Sequence, residues 1–573
     1  MILQALNDYY QRLRDNPDMN MPLPGFGKQK IHFCMVIDMK GKLVQIKDLR
    51  EMSGKKSIPV ELLVPQIDKK RTVGIEPNFA WDNTGYVLGM DNKGKPERSL
   101  ECFENFKELH HKVGNHIEDD GLTAFLKFLD SWKPEKAPEL EKWEEMAGTN
   151  IVFQLDGDRR YIHDRPAVQA AWSRFIAAKG KDFIAPCLVS GETAPIARLH
   201  PPIKGVRGAQ TSGAGIVSFN LDAFESYGKT QNYNAPVSET VAFTYTTVLN
   251  HLLRFDSRQK VQIGDATTVF WTERESPLEG FMGVILNPTD EAGDLLNIRL
   301  FLEAARDGKM YPELGDPDIK FYILGLSPNA SRLSVRFWHV STVGDMAEKI
   351  GQHFRDLAIV KQFENNPEFP GMWHLLKQLL RQKKVKAKSD DIPPLLAGAV
   401  MRSILTGAAY PQTLLSAVIE RIRANEDVNY FRAAIIKACL ARKFRINRIE
   451  KEVKMTLDKE STNVAYRLGR LFAVLEKAQQ DAIPGANTTI KDRYYGSASA
   501  TPRVVLPQLL RLAQHHIQKA EYGRRNDRMI EEIMCGISEF PAHLSLDDQG
   551  LFAIGYYHQR QAFFTKSKDE KEG

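Results

Sequence analysis

The sequence is poor in cysteine, contains no long apolar run and lacks the common catalytic signatures. Its 573 residues include five cysteines, far apart and without C-x-x-C spacing, which disfavours a disulfide framework or a structural zinc site. No apolar run approaches the length of a membrane span, and the first residues, MILQALNDYYQRLRDN, are amphipathic and charged rather than a signal peptide. We therefore expect a cytoplasmic protein that uses no metal or organic cofactor.

Two glycine motifs that bind mononucleotides can be tested, and neither is complete. Gly228-Lys229-Thr230 ends like a P-loop, but that pattern requires a glycine where this chain has Ala223. Gly213 and Gly215 match the first two glycines of a dinucleotide fingerprint, yet the third position is Ser218 and no strand precedes the motif with a helix following. Mononucleotide chemistry is therefore disfavoured, and a polymeric phosphate partner stays open.

Catalytic motifs are also missing, since there is no HExxH motif, no convincing Ser-His-Asp or Cys-His set and no carboxylate cluster in a Gly-rich setting. Asp156, Asp158, His163 and Asp164 could be drawn as a metal site, because hard cations prefer carboxylates. The other interpretation, which we prefer, is a hairpin turn followed by a helix that Asp164 caps. We predict a binding protein rather than an enzyme, and a metal-dependent nuclease is the alternative.

Three histidines raise the same question of metal binding. His110, His111 and His116 follow an apolar-periodic stretch and have no acid or cysteine at ligand spacing. We expect them on the surface of the protein.

What the sequence does contain is the composition of a soluble protein with several domains. It is 43% hydrophobic and 26% charged, and its length exceeds that of a single core. We predict an α+β fold with a mixed α/β domain over residues 1–145, a central α+β domain over 146–371 that contains a Gly-rich loop, and an all-α helical bundle over 372–573.

Periodicity supports this division. HFCMVIDMKGKLVQIKDL and IVFQLDGDRRYIHD each predict a hairpin, and KFYILGL followed by SRLSVRFW predicts two strands joined at Ser327-Pro328-Asn329. In the last strand, Leu333, Val335 and Phe337 alternate with Arg332, Ser334, Arg336 and Trp338. The pattern after residue 372 predicts helices over 394–406, 411–425, 429–447, 462–482, 501–521, 524–537 and 546–565.

Two long polar loops are candidate nucleic-acid contacts. IKGVRGAQTSGAGIVSFN, residues 203–220, favours exposed backbone, because glycine lets another backbone come close. DKKRTVGIEPNFAWDN, residues 68–83, combines cations with asparagines that can read base edges, although Phe79 and Trp81 are better explained as core anchors and Asn83 can be a turn residue. The candidate DNA-contacting residues are Lys28, Lys69, Lys70, Arg71, Asn78, Asn83, Lys204, Arg207 and Gln210.

Basic charge is concentrated in one helical segment. The net charge is +6, whereas residues 372–454 hold 17 Lys and Arg against 7 Asp and Glu. Such clustering is typical of nucleic-acid binding, and a solvated helical surface is the alternative. For the paired arginines of the last strand, phosphate contact and a salt-bridged outer sheet face are equally open. The candidate backbone-contacting residues are Arg332, Arg336, Lys383, Lys384, Arg421, Arg442 and Arg445.

The run VSFNLDAFESYGKTQNYNAPVSETVAFTYTTVLNHLL, from residue 217, and GLSPNASRLSVRFW, residues 325–338, resemble the large subunit of the type I-C CRISPR interference complex, the Csd family. The resemblance runs from end to end. It implies a non-catalytic subunit of a crRNA-guided surveillance complex, Cascade, in which the guide reads the target while the protein reads a protospacer-adjacent motif in duplex DNA and opens the strands beside it. A freestanding single-stranded nucleic-acid-binding protein is a further alternative.

The resemblance also implies roles and partners. The resemblance does not fix which residues touch the motif, so we assign motif reading to the two loops ourselves, and we assign the displaced strand of the R-loop to the basic helical segment, which would hold it by phosphate charge. The implied partners are crRNA, target double-stranded DNA, the backbone and 5′-handle-binding Cascade subunits, a small subunit, and a helicase-nuclease that is recruited after R-loop formation.

Met455 is a candidate internal translation start. The preceding Lys451-Glu452-Val453 can be encoded as a purine-rich ribosome-binding sequence, and coincidence is the alternative. Because the Csd family makes its small subunit from within the large-subunit gene, the resemblance implies that residues 455–573, with four predicted helices, are also made as a separate small subunit.

Overall fold

The computed structural model describes residues 1–16, 19, 21–53, 56–66, 74–178, 183–286, 295–309, 311–380, 393–425, 427–521 and 523–564. Packing divides the chain into two units, one formed by residues 1–203 and 212–251 and the other by residues 204–211 and 252–573. Each unit has its own sheet and its own set of helices.

The first unit is built on a four-stranded mixed sheet. Its described strands are β1 (Phe26–Ile31), β2 (Phe33–Ile37), β3 (Leu43–Asp48), β4 (Glu51–Ser53), β5 (Lys56–Ile58), β6 (Val60–Pro65), β7 (Trp81–Asn83), β8 (Asn150–Leu155), β9 (Ile184–Pro186) and β10 (Thr193–Pro195). The helices that begin in it are α1 (Ile2–Asp15), α2 (Thr84–Val87), α3 (Pro96–Gly114), α4 (Asp120–Ser131), α5 (Trp143–Met146), α6 (Pro166–Ala178) and α7 (Glu239–Leu252). The sheet order is β3-β2-β8-β7, and β1 pairs with β6 in a separate ribbon.

β2 lies inside this sheet because its sequence, FCMVI, is apolar at every position. All five side chains are buried, as expected for a strand that is covered on both faces. The hairpin predicted for β2 and β3 is confirmed, with Phe33 opposite Asp48. Phe125 and Phe128 of α4 pack on Phe153 of β8, with ring centroids 4.4 and 5.4 Å apart respectively.

The second predicted hairpin is wrong. β8 pairs in parallel with β2, and Phe33 lies opposite Ile151. Tyr161 contributes only an isolated bridge to Gln154, and residues 162–164 form a short 3₁₀ helix before α6. Because β8 is an inner strand of the first unit's sheet, the expected domain boundary after residue 145 does not coincide with a boundary between the two units.

The second unit combines an antiparallel sheet with most of the helices. Its described strands are β11 (Lys260–Ile263), β12 (Ala266–Thr272), β13 (Lys320–Asn329) and β14 (Arg332–Thr342), in that order across the sheet. Its helices are α8 (Leu278–Leu286), α9 (Leu295–Arg306), α10 (Val343–Leu357), α11 (Met372–Leu376), α12 (Pro394–Thr406), α13 (Gln412–Asn425), α14 (Tyr430–Ile446), α15 (Val464–Ala482), α16 (Ile490–Ala498), α17 (Pro502–Lys519), α18 (Gly523–Met534) and α19 (Leu546–Phe564).

The C-terminal helices confirm the predicted fold class, in which mixed α/β regions precede a helical region. α12–α15 and α17–α19 all overlap the seven predicted segments, and the stripe along α15 is buried at Leu468, Leu471, Phe472 and Leu475. α16 is an addition, so the described part of residues 455–573 holds five helices rather than four. One apolar core runs from Phe270 of the sheet to Tyr557 of α19, and the expected boundary at residue 371 therefore does not divide this unit.

None of the described helices combines the length and the apolarity needed to cross a membrane.

Candidate nucleic-acid interface

The Gly-rich loop is closed at its base and open at its tip. Ile203 and Ala214 exchange two main-chain hydrogen bonds of 2.9 Å, and both side chains are buried. Between them, Lys204, Arg207 and Gln210 are exposed. The loop thus presents two cations and one amide to solvent, as the sequence predicted.

Three contacts within the second unit anchor the loop residues 204–211. Gly205 has a φ of 88°, and a Cβ added there would lie 2.6 Å from the main-chain oxygen of Leu253, so this position requires glycine. The Arg207 N–H donates to Thr267 Oγ1 at 3.0 Å. A Cβ added at Gly208 would lie 3.4 Å from Cγ of Pro328. Local sequence gave no signal for Leu253 or Thr267 as anchors, because both are distant along the chain.

The arginines of β14 lie at the same end of the sheet as these anchors. Thr267 pairs with Leu326, and Asn329 pairs with Arg332 where β13 turns into β14. Arg336 forms an ion pair of 2.7 Å with Asp265, in the turn between β11 and β12. Both side chains are about half exposed, at 52% and 43%, so this pair stabilises little.

The strand predictions for β13 and β14 are confirmed, but the alternation along β14 is wrong. The register shifts between Gly325 and Leu326, which lie opposite Phe337 and Val335 respectively. This β-bulge re-aims the side chains that follow it. Trp338 stacks on Tyr322, with ring centroids 5.7 Å apart and planes 11° apart, and is not a partner of Arg336 on an open face.

The structure therefore brings five of the sequence-predicted residues to one end of one sheet. We call this set the basic loop surface; it consists of Lys204, Arg207, Gln210, Arg332 and Arg336. The loop contributes backbone and cations, and the sheet contributes a rigid base. Rigid placement of cations and exposed backbone suits a sugar-phosphate chain.

The asparagines of the N-terminal loop are placed differently, and their assignment to base reading is wrong. Asn78 is 6% exposed, and its N–H donates to Asp82 Oδ2 at 2.9 Å. Asn83 is the N-cap of α2 and accepts from the Gly85 N–H at 3.0 Å. Asn78 is thus buried with its main-chain N–H bound to Asp82, and the Asn83 side chain satisfies the buried Gly85 N–H, which is the usual work of asparagine at a helix start.

Phe79 and Trp81 are confirmed as core anchors. Phe79 is fully buried and lies parallel to His110 and to Trp172, with centroid distances of 4.9 and 5.3 Å. The Trp81 Nε1–H donates to the main-chain oxygen of Pro65 at 2.5 Å. Two large rings anchored this way bury the loop that carries them.

His110 is buried, so its expected surface position is wrong. Its Nδ1 lies 2.6 Å from the Phe106 oxygen, and its Nε2 accepts from the Ala80 N–H at 2.7 Å. A ring that donates at one nitrogen and accepts at the other is neutral. Burial lowers the pKa of His110 to about 3. His110 thereby stabilises the loop at Ala80, whose φ is 61°.

Lys28 is exposed on the ribbon formed by β1 and β6. Its neighbour Gln29 donates to the side chain of Gln66 at 2.9 Å, and the Gln66 N–H donates to the Gly25 oxygen at 2.8 Å. Gln66 is the last described residue before position 74. Lys69, Lys70 and Arg71 lie outside the described residues.

In the helical segment, Arg442 is wrong as a DNA contact because its side chain is fully buried. Its Nε donates to Asp356 Oδ2 at 2.7 Å, and its Nη1 donates to the Ser403 oxygen at 2.7 Å. Asp356 also accepts from Arg445 at 2.8 Å. Burial alone would raise the pKa of Asp356, but the hydrogen bonds from Arg445 and Arg442 lower it below its usual value.

The remaining basic candidates are divided between surface and undescribed segments. Arg445 keeps 44% of its side chain exposed despite its bond to Asp356, and Arg421 is half-buried on α13. Lys383 and Lys384 lie outside the described residues. Met455 is 54% exposed in the connection between α14 and α15, and its oxygen accepts from the Val360 N–H at 2.9 Å.

The side chains that the sequence offered as metal ligands make other contacts in the structure. Across the described residues, no group of three or more His, Cys, Asp or Glu side chains is placed to hold a metal ion. Asp158 pairs with Arg165, and His163 is buried and stacks on Tyr161 with the planes 4° apart. Asp164 closes the 3₁₀ helix, and Arg165 separates it from α6.

Comparison with protein families gives one match of nearly full length. The model of a family described as CRISPR-associated protein (Cas_Csd1) matches residues 6–564. A comparison with individual curated proteins gives no match. The matched span includes both units and all of the basic loop surface.

Proposed function

Because this chain belongs to the Csd1 family of CRISPR-associated proteins, we propose that it is the non-catalytic large subunit of a crRNA-guided type I-C Cascade complex. In this proposal it recognises the protospacer-adjacent motif in duplex DNA, helps to open the strands and stabilises the R-loop for recruitment of a helicase-nuclease. Its other partners are the backbone and 5′-handle-binding subunits and a small subunit.

The observation that carries the proposal is the basic loop surface. Lys204, Arg207 and Gln210 lie on a loop that is pinned by Gly205 to Leu253 and by Arg207 to Thr267. Pinned backbone keeps its shape before DNA arrives, so little ordering entropy is lost on binding. Cations fix the register on the phosphates, and an amide can donate to and accept from a base edge.

The proposal assigns each role to a revised set of residues. Motif reading is assigned to the basic loop surface, to the ribbon that carries Lys28 and to residues 67–73. Asn78 and Asn83 are removed from the reading set because Asn78 is buried and the Asn83 side chain caps α2. The displaced strand is assigned to Arg421 and Arg445 and to the segment with Lys383 and Lys384, without Arg442.

The test is binding by the complex assembled with crRNA, using duplexes with and without the motif, which is first selected from a randomised library. Gln210→Ala is expected to reduce discrimination between the two duplexes by about 1–3 kcal/mol. Arg421→Gln is expected to weaken both equally and to reduce the slope of log K against log salt by about one. The reverse pattern would exchange the two assignments.

The alternatives give different results in the same system. A freestanding single-stranded nucleic-acid-binding protein would bind without crRNA and would not distinguish matched from mismatched duplexes. A metal-dependent nuclease would cleave DNA with magnesium as the isolated chain, and Asp158→Ala would abolish the cleavage.

The small subunit is tested separately. We propose that residues 455–573 are also translated from Met455, and a C-terminal tag on the gene should report a short product beside the full chain. Altering the Lys-Glu-Val codons and Met455 should remove the short product, whereas a gene that yields full-length protein alone would contradict this part of the proposal.

A further inference from the structure

We propose that Phe255 is a stacking platform for an unpaired nucleobase beside the basic loop surface, an inference that rests on the proposed function. Phe255 is 100% exposed and lies in the connection between α7 and β11. Proteins that hold single-stranded DNA combine exposed aromatic rings with cations that follow the backbone, because every base offers a π-face. No sequence motif drew attention to this ring.

The turn that carries Phe255 is braced on both sides. Arg254 donates to both carboxylate oxygens of Asp256, at 3.1 and 3.0 Å. Lys260 Nζ donates to the main-chain oxygens of Leu253 and Arg254, at 2.9 and 2.5 Å. These bonds flank the phenyl ring without covering it. Because these bonds fix the backbone of the turn, little backbone freedom is lost when the ring stacks on a base.

Leu253 joins this turn to the Gly-rich loop. Its main-chain oxygen faces Gly205, at a position where an added Cβ would lie 2.6 Å away, and it also accepts from Lys260. Phe255 follows Leu253 by two residues, so its backbone lies within about 7 Å of the residue that approaches Gly205. The contact between the Leu253 oxygen and Gly205 lies within the second unit and requires glycine at position 205.

The surrounding charge favours a nucleic acid over a protein partner. Residues 204–211 and 254–260 together carry five cations against one carboxylate, which is Asp256. That carboxylate is occupied by Arg254. A phosphate chain therefore meets a net positive surface around an exposed ring, whereas an apolar protein surface would have to desolvate these cations.

The two tryptophans of the second unit's sheet are packed and do not compete for the role. Trp271 is fully buried, and Trp338 stacks on Tyr322 at a centroid distance of 5.7 Å and lies tilted against Trp271 at 5.6 Å. Phe255 is instead fully exposed, so a base can stack on it without displacing a packed ring.

The experiment uses the assembled complex and target duplexes in which 2-aminopurine replaces single bases of the displaced strand, one position at a time from the motif outward. Stacking quenches 2-aminopurine. We expect quenching at one or two positions near the motif, retained in Phe255→Tyr and lost in Phe255→Leu, with DNA affinity about 5- to 100-fold weaker in the leucine variant. Phe363→Ala, which removes another exposed ring of the same unit (62% exposed), should change neither.

Two outcomes would overturn the inference. Equal quenching by Phe255→Leu and the parent complex would show that another group stacks on the base. Failure of Phe255→Leu to assemble into the complex, with Phe255→Tyr and Phe363→Ala assembling normally, would identify Phe255 as a contact to a protein subunit. If the parent complex itself shows no motif-dependent binding, the proposed function fails, and with it the premise of this inference.

Discussion

The two polar loops, residues 74–83 and 203–214, resemble each other in composition and differ in where their side chains lie. In the first, Phe79 and Trp81 are buried and draw the neighbouring polar groups inward. In the second, the buried side chains are the smaller, aliphatic ones of Ile203, Val206 and Ala214, and the side chains of Lys204 and Arg207 are exposed. Aromatic rings bury enough apolar surface to place a loop in the core, whereas the smaller aliphatic side chains fix only the backbone of the loop. Loop polarity alone therefore does not indicate a binding surface.

The largest expected effect comes from removing a ring of the first loop. Phe79→Ala should lower the free energy of unfolding of the first unit by about 3–5 kcal/mol, because it leaves a cavity between His110 and Trp172. Amide hydrogen exchange of β2, α3 and α4 measures this loss region by region. The matched change in the second loop, Arg207→Ala, should alter stability by less than about 0.5 kcal/mol and weaken DNA binding.

Equal hydrogen-exchange protection in Phe79→Ala and Arg207→Ala would contradict this comparison of the two loops. So would a loss of motif discrimination in a Phe79→Leu complex of normal stability, since that result would make the first loop a reader of DNA.

The sequence predicted the parts of the fold that local patterns determine. The C-terminal helices α12–α15 and α17–α19 were predicted from their apolar periodicity, and the hairpin of β2 and β3 was predicted from the short turn between two apolar runs. α8–α11 and α16 were not predicted. The pairing of β8 was missed because its partner β2 lies more than a hundred residues earlier. The bulge in β14 was missed because nothing local marks it, although Gly325 sits opposite the displaced Phe337. Family membership was predicted from the two long runs and is confirmed.

The exposure of the candidate site residues also depends on partners that are distant in the sequence. Arg442 and Arg445 lie one turn apart on α14 and read alike as cations, yet one is fully buried and the other is 44% exposed. The deciding partner, Asp356, is on α10. A local signal did exist, because Arg442 follows Ile435 and Cys439 at helical spacing and therefore lies on their apolar stripe. Cations on such a stripe need a buried partner.

An intermediate effect is expected at the glycine that fixes the second loop. Gly205→Ala should destabilise the loop by about 1–3 kcal/mol, because a side chain at a φ of 88° is strained and its Cβ meets the Leu253 oxygen. Motif-dependent binding should weaken as the loop leaves its anchor. Gly94→Ala isolates the strain, since Gly94 has a φ of 67° and nothing within 4 Å of the added Cβ.

If Gly205→Ala and Gly94→Ala change stability equally and DNA affinity not at all, the close approach to Leu253 has no role in shaping the basic loop surface. Hydrogen exchange over residues 203–214 distinguishes a displaced loop from an unfolded unit.

The last expected effect is a pH dependence of the first loop, at most about 1.4 kcal/mol for each pH unit. Burial lowers the pKa of His110 to about 3, against an ordinary value of about 6.5 in the unfolded chain. Between these pH values the unfolded chain binds a proton that the folded chain does not. The contribution to stability is therefore complete above pH 6.5 and is lost as the pH falls toward 3, by at most about 1.4 kcal/mol per pH unit.

His110→Gln removes this proton uptake. The free energy of unfolding of the first unit, measured by hydrogen exchange between pH 7 and 5, should fall less steeply in His110→Gln than in the parent chain. An unchanged slope in His110→Gln would mean that His110 is solvated, and that the first loop is as open as the second.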